Sequence, residues 1–139
     1  MFSFNPIILA HLAEAAAHLG RLGEAQALVE RMVREDRTRE HWLTPELLRV
    51  RGTIAIAAGD ESEGERYLAL ALAMATKQGA LAWRLKIVTS LARLRQTEGQ
   101  LVEARRILEP VYKEITEGFE TADVRAAKKL LDELVVALQ

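Results

Sequence analysis

His11, Glu14 and His18 recur at i, i+3 and i+7, a spacing that turns two imidazoles and a carboxylate toward one side of a helix, where a metal ion would be held. One helix supplies only part of a coordination shell. No further histidine lies close by in sequence, and an exposed stripe on an alanine-rich helix produces the same pattern, so the plainer reading carries more weight. His41, beside Trp42, has no serine or cysteine placed to be activated and reads as packing at a turn. Asp60, Glu61, Glu63 and Glu65 bunch just after Gly59, but the glycine and the terminal bidentate glutamate of a calcium loop are missing at their offsets. Asp60 fits better as a helix N-cap, with the glutamates favourably placed at the positive end of the helix dipole. Arg31, Arg34, Arg37 and Arg39 form a basic run, yet Glu30, Glu35, Asp36 and Glu40 interleave with it and no aromatic is available for base stacking. There is no cysteine and no Gly-rich phosphate loop followed by Lys-Ser/Thr. No cofactor, no metal and no catalytic residue is expected, and the chain reads as a non-enzyme.

The elements that must carry these residues follow from a repeat. Gly20, Gly59 and Gly99 stand 39 and 40 residues apart, and five positions after each comes a small residue, Ala25, Gly64 or Ala104. Internal self-similarity on this scale indicates stacked helix pairs. Before each glycine the apolar residues keep helical spacing: Leu9, Leu12, Ala13 and Ala16; then Leu47, Leu48 and Ile54; then Val88, Leu91 and Ala92. After it they resume, as in Ala25, Leu28, Val29 and Met32, or Ala104, Ile107, Leu108 and Val111. Asn5-Pro6 and Thr44-Pro45 place a capping side chain before a proline suited to a first helical turn. Pro110 falls inside the sixth helix and is expected to bend it near Arg106. A last stripe of Val124, Ala127, Leu131, Leu134 and Leu138 reads as a capping helix over about 121–138. The expected fold is all-α: an α-α superhelix of about three helix hairpins, near 5–40, 44–79 and 81–117, plus that capping helix, in one domain spanning 1–139.

Composition agrees with this architecture. Half of the 139 residues are apolar but only 5% aromatic, which leaves Ala and Leu, both strong helix formers, to fill the core. The 19 Lys+Arg and 20 Asp+Glu nearly cancel to a net charge of -1, so no global field draws the chain to nucleic acid or to an anionic membrane. No window offers the ~18 uncharged apolar residues of a membrane helix. The opening Met1-Phe2-Ser3-Phe4-Asn5-Pro6 lacks the pattern of a signal peptide, and a cytoplasmic location is expected.

The stretch Trp83-Arg84-Leu85-Lys86 and Ser90-Leu91-Ala92-Arg93-Leu94, followed by Gly99, Glu103-Ala104-Arg105, Leu108, Pro110-Val111-Tyr112 and Thr116 to Asp123, resembles a known repeat class. It is similar to the tetratricopeptide-like C-terminal repeats of bacterial multidomain signalling ATPases, of the adenylate-cyclase-like or transcriptional-regulator type. Trp42, Glu46-Leu47-Leu48-Arg49 and Gly52 resemble the same region one repeat earlier. The period of about 40 is stretched relative to the ~34 of the plain tetratricopeptide. The resemblance concerns the tails of those proteins, and implies a docking or sensing module in signal transduction that binds protein or peptide.

In such arrays the first helices of successive pairs line a groove. Phasing each unit on its glycine places Glu14 and His18, then Arg49 and Thr53, then Lys86, Thr89, Arg93 and Gln96 on that side. Arg49, Lys86 and Arg93 would make the groove locally positive, suited to an acidic or C-terminal peptide. An array also needs polar caps at both ends, and the first helix opens on apolar residues. A homodimer through Phe4, Ile8 and Leu12 is therefore expected, and self-association without a separate ligand is the alternative reading of function.

Overall fold

The computed structural model describes residues 6–36 and 44–139, and among these every regular element is an α-helix. In chain order they are α1 (Pro6–His18), α2 (Leu22–Asp36), α3 (Thr44–Ala57), α4 (Glu61–Gln78), α5 (Leu81–Thr97), α6 (Leu101–Lys113) and α7 (Ala122–Ala137). The all-α fold expected from the sequence is thus observed. Asn5, His41, Trp42, Arg37, Arg39, Glu40, Phe2 and Phe4 lie outside the described residues.

One turn, used repeatedly, makes these hairpins. Gly20, Gly59 and Gly99 have φ of +78°, +91° and +77°, a left-handed conformation in which a Cβ would be strained. Each glycine N–H donates to the carbonyl three residues back, at Ala17, Ile56 and Gln96. The next N–H, of Arg21, Asp60 or Gln100, reaches back to Ala16, Ala55 or Arg95 at 2.8–2.9 Å. This pair of bonds satisfies carbonyls that the helix end would otherwise leave open. The residue after the glycine also starts the following helix, because its own carbonyl accepts from Ala25, Gly64 or Ala104 at 3.0 Å. Reversal therefore takes only two residues. Gly79 makes the same bonds between α4 and α5, with Ala80 as the shared residue. Asp60 adds a side-chain cap, its carboxylate accepting from the Glu63 N–H at 3.2 Å, as its position suggested.

Internal packing divides the chain into two compact units, Met1–Met74 and Ala75–Gln139, with the boundary inside α4. In the first unit α1 packs on α2 and on α3, and α2 on α3. Leu9, Ala10, Ala13, Ala25, Met32 and Val50 are fully or almost fully buried there. In the second, α5, α6 and α7 all pack on one another around Leu85, Ile87, Ala92, Leu108, Leu130 and Leu134. Burial of such side chains contributes roughly 1.5–3 kcal/mol for each large one, and it is what holds short helices that would be marginal alone. α7 starts at Thr121, whose hydroxyl accepts from the Val124 N–H at 3.5 Å and donates to the Gly118 carbonyl at 2.8 Å. α6 runs on through Pro110, which is exposed, to Lys113.

Small residues set how closely the helices approach. Ala25 and Ala104 have no exposed surface, and at the equivalent place in the second hairpin stands Gly64. A Cβ on Gly64 would lie 2.7 Å from the Gly52 carbonyl and closer still to the Ile56 side chain, while one on Gly52 would meet Leu68 at 2.8 Å. The α3 and α4 backbones thus approach at a distance only glycine permits. Gly64→Ala should destabilise the protein by about 1–3 kcal/mol, despite alanine's helix propensity, because the crossing must open. Gly23→Ala in α2, where a Cβ meets nothing within 4 Å, should be neutral or slightly stabilising. Urea unfolding of both variants checks this, and equal stabilities would mean the close crossing is not formed.

Candidate interaction surfaces

Arg49 on α3 is the centre of the strongest polar cluster in the first unit. Its Nη1 and Nη2 donate to the two carboxylate oxygens of Glu14 on α1, at 3.0 and 2.7 Å. Its Nε and Nη2 donate to the two oxygens of Glu46, one helical turn earlier on α3, at 3.0 and 2.8 Å. The guanidinium fork thus meets two carboxylates bidentately, the geometry that makes arginine strong in such pairs. Arg49 is 4% exposed and Glu46 1%. Burial works against the charge on Arg49, but the hydrogen bonds to Glu46 and Glu14 outweigh it and hold its pKa above the ordinary arginine value.

This corrects the expectation that Arg49 lines an open groove. Its charge is consumed within the fold, tying α1 to α3, and it lends no positive character to a surface. Glu14 is likewise engaged through both oxygens, which separates it from His11 and His18, both exposed. No group of three His, Asp or Glu able to hold a metal ion occurs among the described residues. Thr53 is half-buried and its hydroxyl donates back to the Val50 carbonyl at 3.0 Å. Thr89 also departs from the expected groove: it is 6% exposed, and its hydroxyl donates to the Leu85 carbonyl at 2.7 Å. Phasing on the glycine places a residue on a helix but cannot separate its groove side from its buried side when the neighbouring helix is unknown.

Part of the expected α5 set does stand at a surface. Arg93 is exposed and, with Ala126, Lys129, Leu130 and Glu133, lines a cleft of about 200 Å³ between α5 and α7. Gln96, half-buried, donates from Nε2 to Glu133 at 3.4 Å across the same pair of helices. Lys86 is half-buried.

No family model, no curated protein and no solved structure matches the chain. Its surfaces have to be read from their own chemistry. Along α1 and the residue just after it, Ile8, Leu12, Ala15 and Leu19 follow at i, i+4, i+7 and i+11, and the three large residues are 47%, 48% and 71% exposed. Ile8 and Leu12 were expected there. Across the second hairpin, Arg51 donates from Nη2 to the Tyr67 hydroxyl at 2.7 Å and lies 4.2 Å from the ring centroid. Arg66 approaches the same ring at 4.7 Å and is gripped by Glu63 at 3.1 and 2.7 Å. Hydrogen bonds from Arg66 and then Tyr67 hold the Glu63 carboxyl below its usual range. Spacing along one helix gives no sign of this cluster, because Arg51 and Tyr67 meet only through the hairpin.

The burial of Arg49 can be checked directly. Arg49→Met should cost about 3–5 kcal/mol in urea unfolding, since it leaves the buried Glu46 carboxylate uncompensated, and adding Glu46→Gln should recover part of that loss. Arg93→Ala should stay within ~0.5 kcal/mol of the parent. Equal effects of Arg49→Met and Arg93→Ala would contradict the network.

Proposed function

We propose that this chain is a non-enzymatic protein-protein interaction module, the docking or sensing tail of a bacterial signalling ATPase or regulator. The observation that carries the reading is the recurrence of one hairpin turn, with the same two backbone bonds at Gly20, Gly59 and Gly99. Helix-pair repeats of this kind present side chains along extended surfaces and commonly serve binding. The link to signalling ATPases rests on the sequence resemblance of the Trp83 to Asp123 region. The groups whose spacing suggested chemistry have structural employment instead: Glu14 neutralises Arg49, and Asp60 caps α4. A cytoplasmic setting fits the absence of cysteine and of any described helix long and apolar enough to cross a membrane. Panning a random peptide library on the immobilised chain tests the reading. Enrichment of one motif that binds saturably is expected, and a library that yields no motif would count against it.

The exposed apolar strip on α1 favours self-association as a second reading. Large apolar residues in a contiguous strip tend to be covered by a partner, and a two-fold contact through Ile8 and Leu12 is the simplest arrangement. Phe4, assigned to the same contact from sequence, lies outside the described residues. Light scattering at micromolar concentration should give twice the chain mass, and Ile8→Glu with Leu12→Glu should reduce it to one. A monomeric parent, or a dimer indifferent to both changes, would exclude this interface.

A further inference from the structure

The second unit carries a depression that neither the repeat pattern nor the groove expectation anticipates. It has a volume of about 410 Å³ and lies where the first turn of α5 meets the α6–α7 turn and the start of α7. Leu85 and Val124, both buried, and Leu81, Ala82 and Ile115 give it an apolar lining. That volume is within the range of about 300–1,000 Å³ typical of sites that take up compact apolar groups. Its walls are preformed. Arg84 on α5 grips Glu114 at the end of α6 through Nη1 and Nη2, at 3.2 and 3.0 Å, and Thr121 bonds back to Gly118, which takes φ +75° to close the turn.

The rim is acidic. Residues 114–123 contain four carboxylates and no basic residue. Glu114 is spent on Arg84, but Glu117, Glu120 and Asp123 are exposed and make no ion pair among the described residues. Glu117 and Asp123 line the depression itself, and Phe119, on the same turn, is 50% exposed. Arg125, the nearest cation on α7, does not line this depression but a separate one, with Ala126 and Lys129. Unpaired charges of one sign around a preformed apolar hollow favour a partner of the other sign, speeding its encounter and selecting against acidic segments.

Building on the interaction-module reading, we infer that this depression docks a basic peptide segment of a partner protein, seating one apolar side chain between Leu81, Ile115 and Val124 while flanking Lys or Arg residues meet Glu117, Glu120 and Asp123. The specificity is thus opposite to that expected from Arg49, Lys86 and Arg93.

Fluorescence anisotropy of the full chain with the labelled peptide Gly-Lys-Arg-Ser-Leu-Ser-Lys-Arg-Gly tests the inference. Saturable binding is expected, weakened about tenfold when the peptide leucine is replaced by serine, or when Ala82→Phe fills the depression from an exposed position. Glu117→Lys with Glu120→Lys should weaken it at least as much at low salt and less at high salt, with the far-ultraviolet circular dichroism unchanged. No saturable binding would overturn the inference, and binding indifferent to both the leucine and Ala82→Phe would reduce it to mere charge attraction and overturn it as well. Preference for the analogue with Glu in place of Lys and Arg would also overturn it, while leaving the interaction-module reading standing. A library that enriches no motif at all would instead remove that broader reading.

Discussion

The left-handed glycine at the end of a helix is the constraint on which the rest of this molecule depends. A helix that stops leaves carbonyls unsatisfied, and here two backbone bonds close them while the chain reverses within two residues. Because the residue after the glycine also begins the next helix, there is no loop in which the phase of the second helix could drift. The small residue five positions on is then carried into the packed side of its helix, as Ala25, Gly64 or Ala104. Turn geometry and helix spacing are one feature, not two.

Around that backbone device the two units solve their cores differently. The second buries long aliphatic side chains, Leu85, Ile87, Leu108, Leu130 and Leu134, and the buried polar residue among those described there is Thr89, bonded to its own helix. The first uses more alanine, with Ala10, Ala13 and Ala25 fully buried, and places a guanidinium between two carboxylates where α1 meets α3. A buried ion network of this kind adds little net stability over a well-packed apolar core, and its bidentate bonds depend on where α1 and α3 place their side chains. Residue choice at Arg49, Glu46 and Glu14 is therefore a matter of how α1 seats on α3.

Charge away from the cores is mostly settled within single helices. Arg66 with Glu63, Lys113 with Glu109 and Lys128 with Asp132 pair at i, i+3 or i, i+4, and being largely exposed they contribute little to stability. Against such a neutralised background, the three unpaired carboxylates of the α6–α7 turn and the first turn of α7, and the bare apolar strip of α1, are distinct surfaces. One is acidic around an apolar hollow and the other uncharged at its centre, so they suit partners of different chemistry.

The sequence by itself determined every helix hairpin, because the information is local: a glycine that alone tolerates positive φ, a cap such as Asp60, and apolar residues at 3.6-residue spacing all act within a few positions of where they stand. It also marked Ile8 and Leu12 as apolar residues on one helical face. What it could not decide was which side of each helix its neighbours would cover. Arg49, Thr53 and Thr89 look like groove residues on their own helices, and only the packing of α1 on α3 and of α5 among α6 and α7 draws Arg49 and Thr89 inward. The hollow between Leu81, Ile115 and Val124 belongs to the same class, since Leu81 is more than thirty residues from the other two in sequence and becomes their neighbour only when α5, α6 and α7 pack. Backbone conformation is chosen over a handful of residues, whereas burial is a property of helices meeting, and no single segment carries that information.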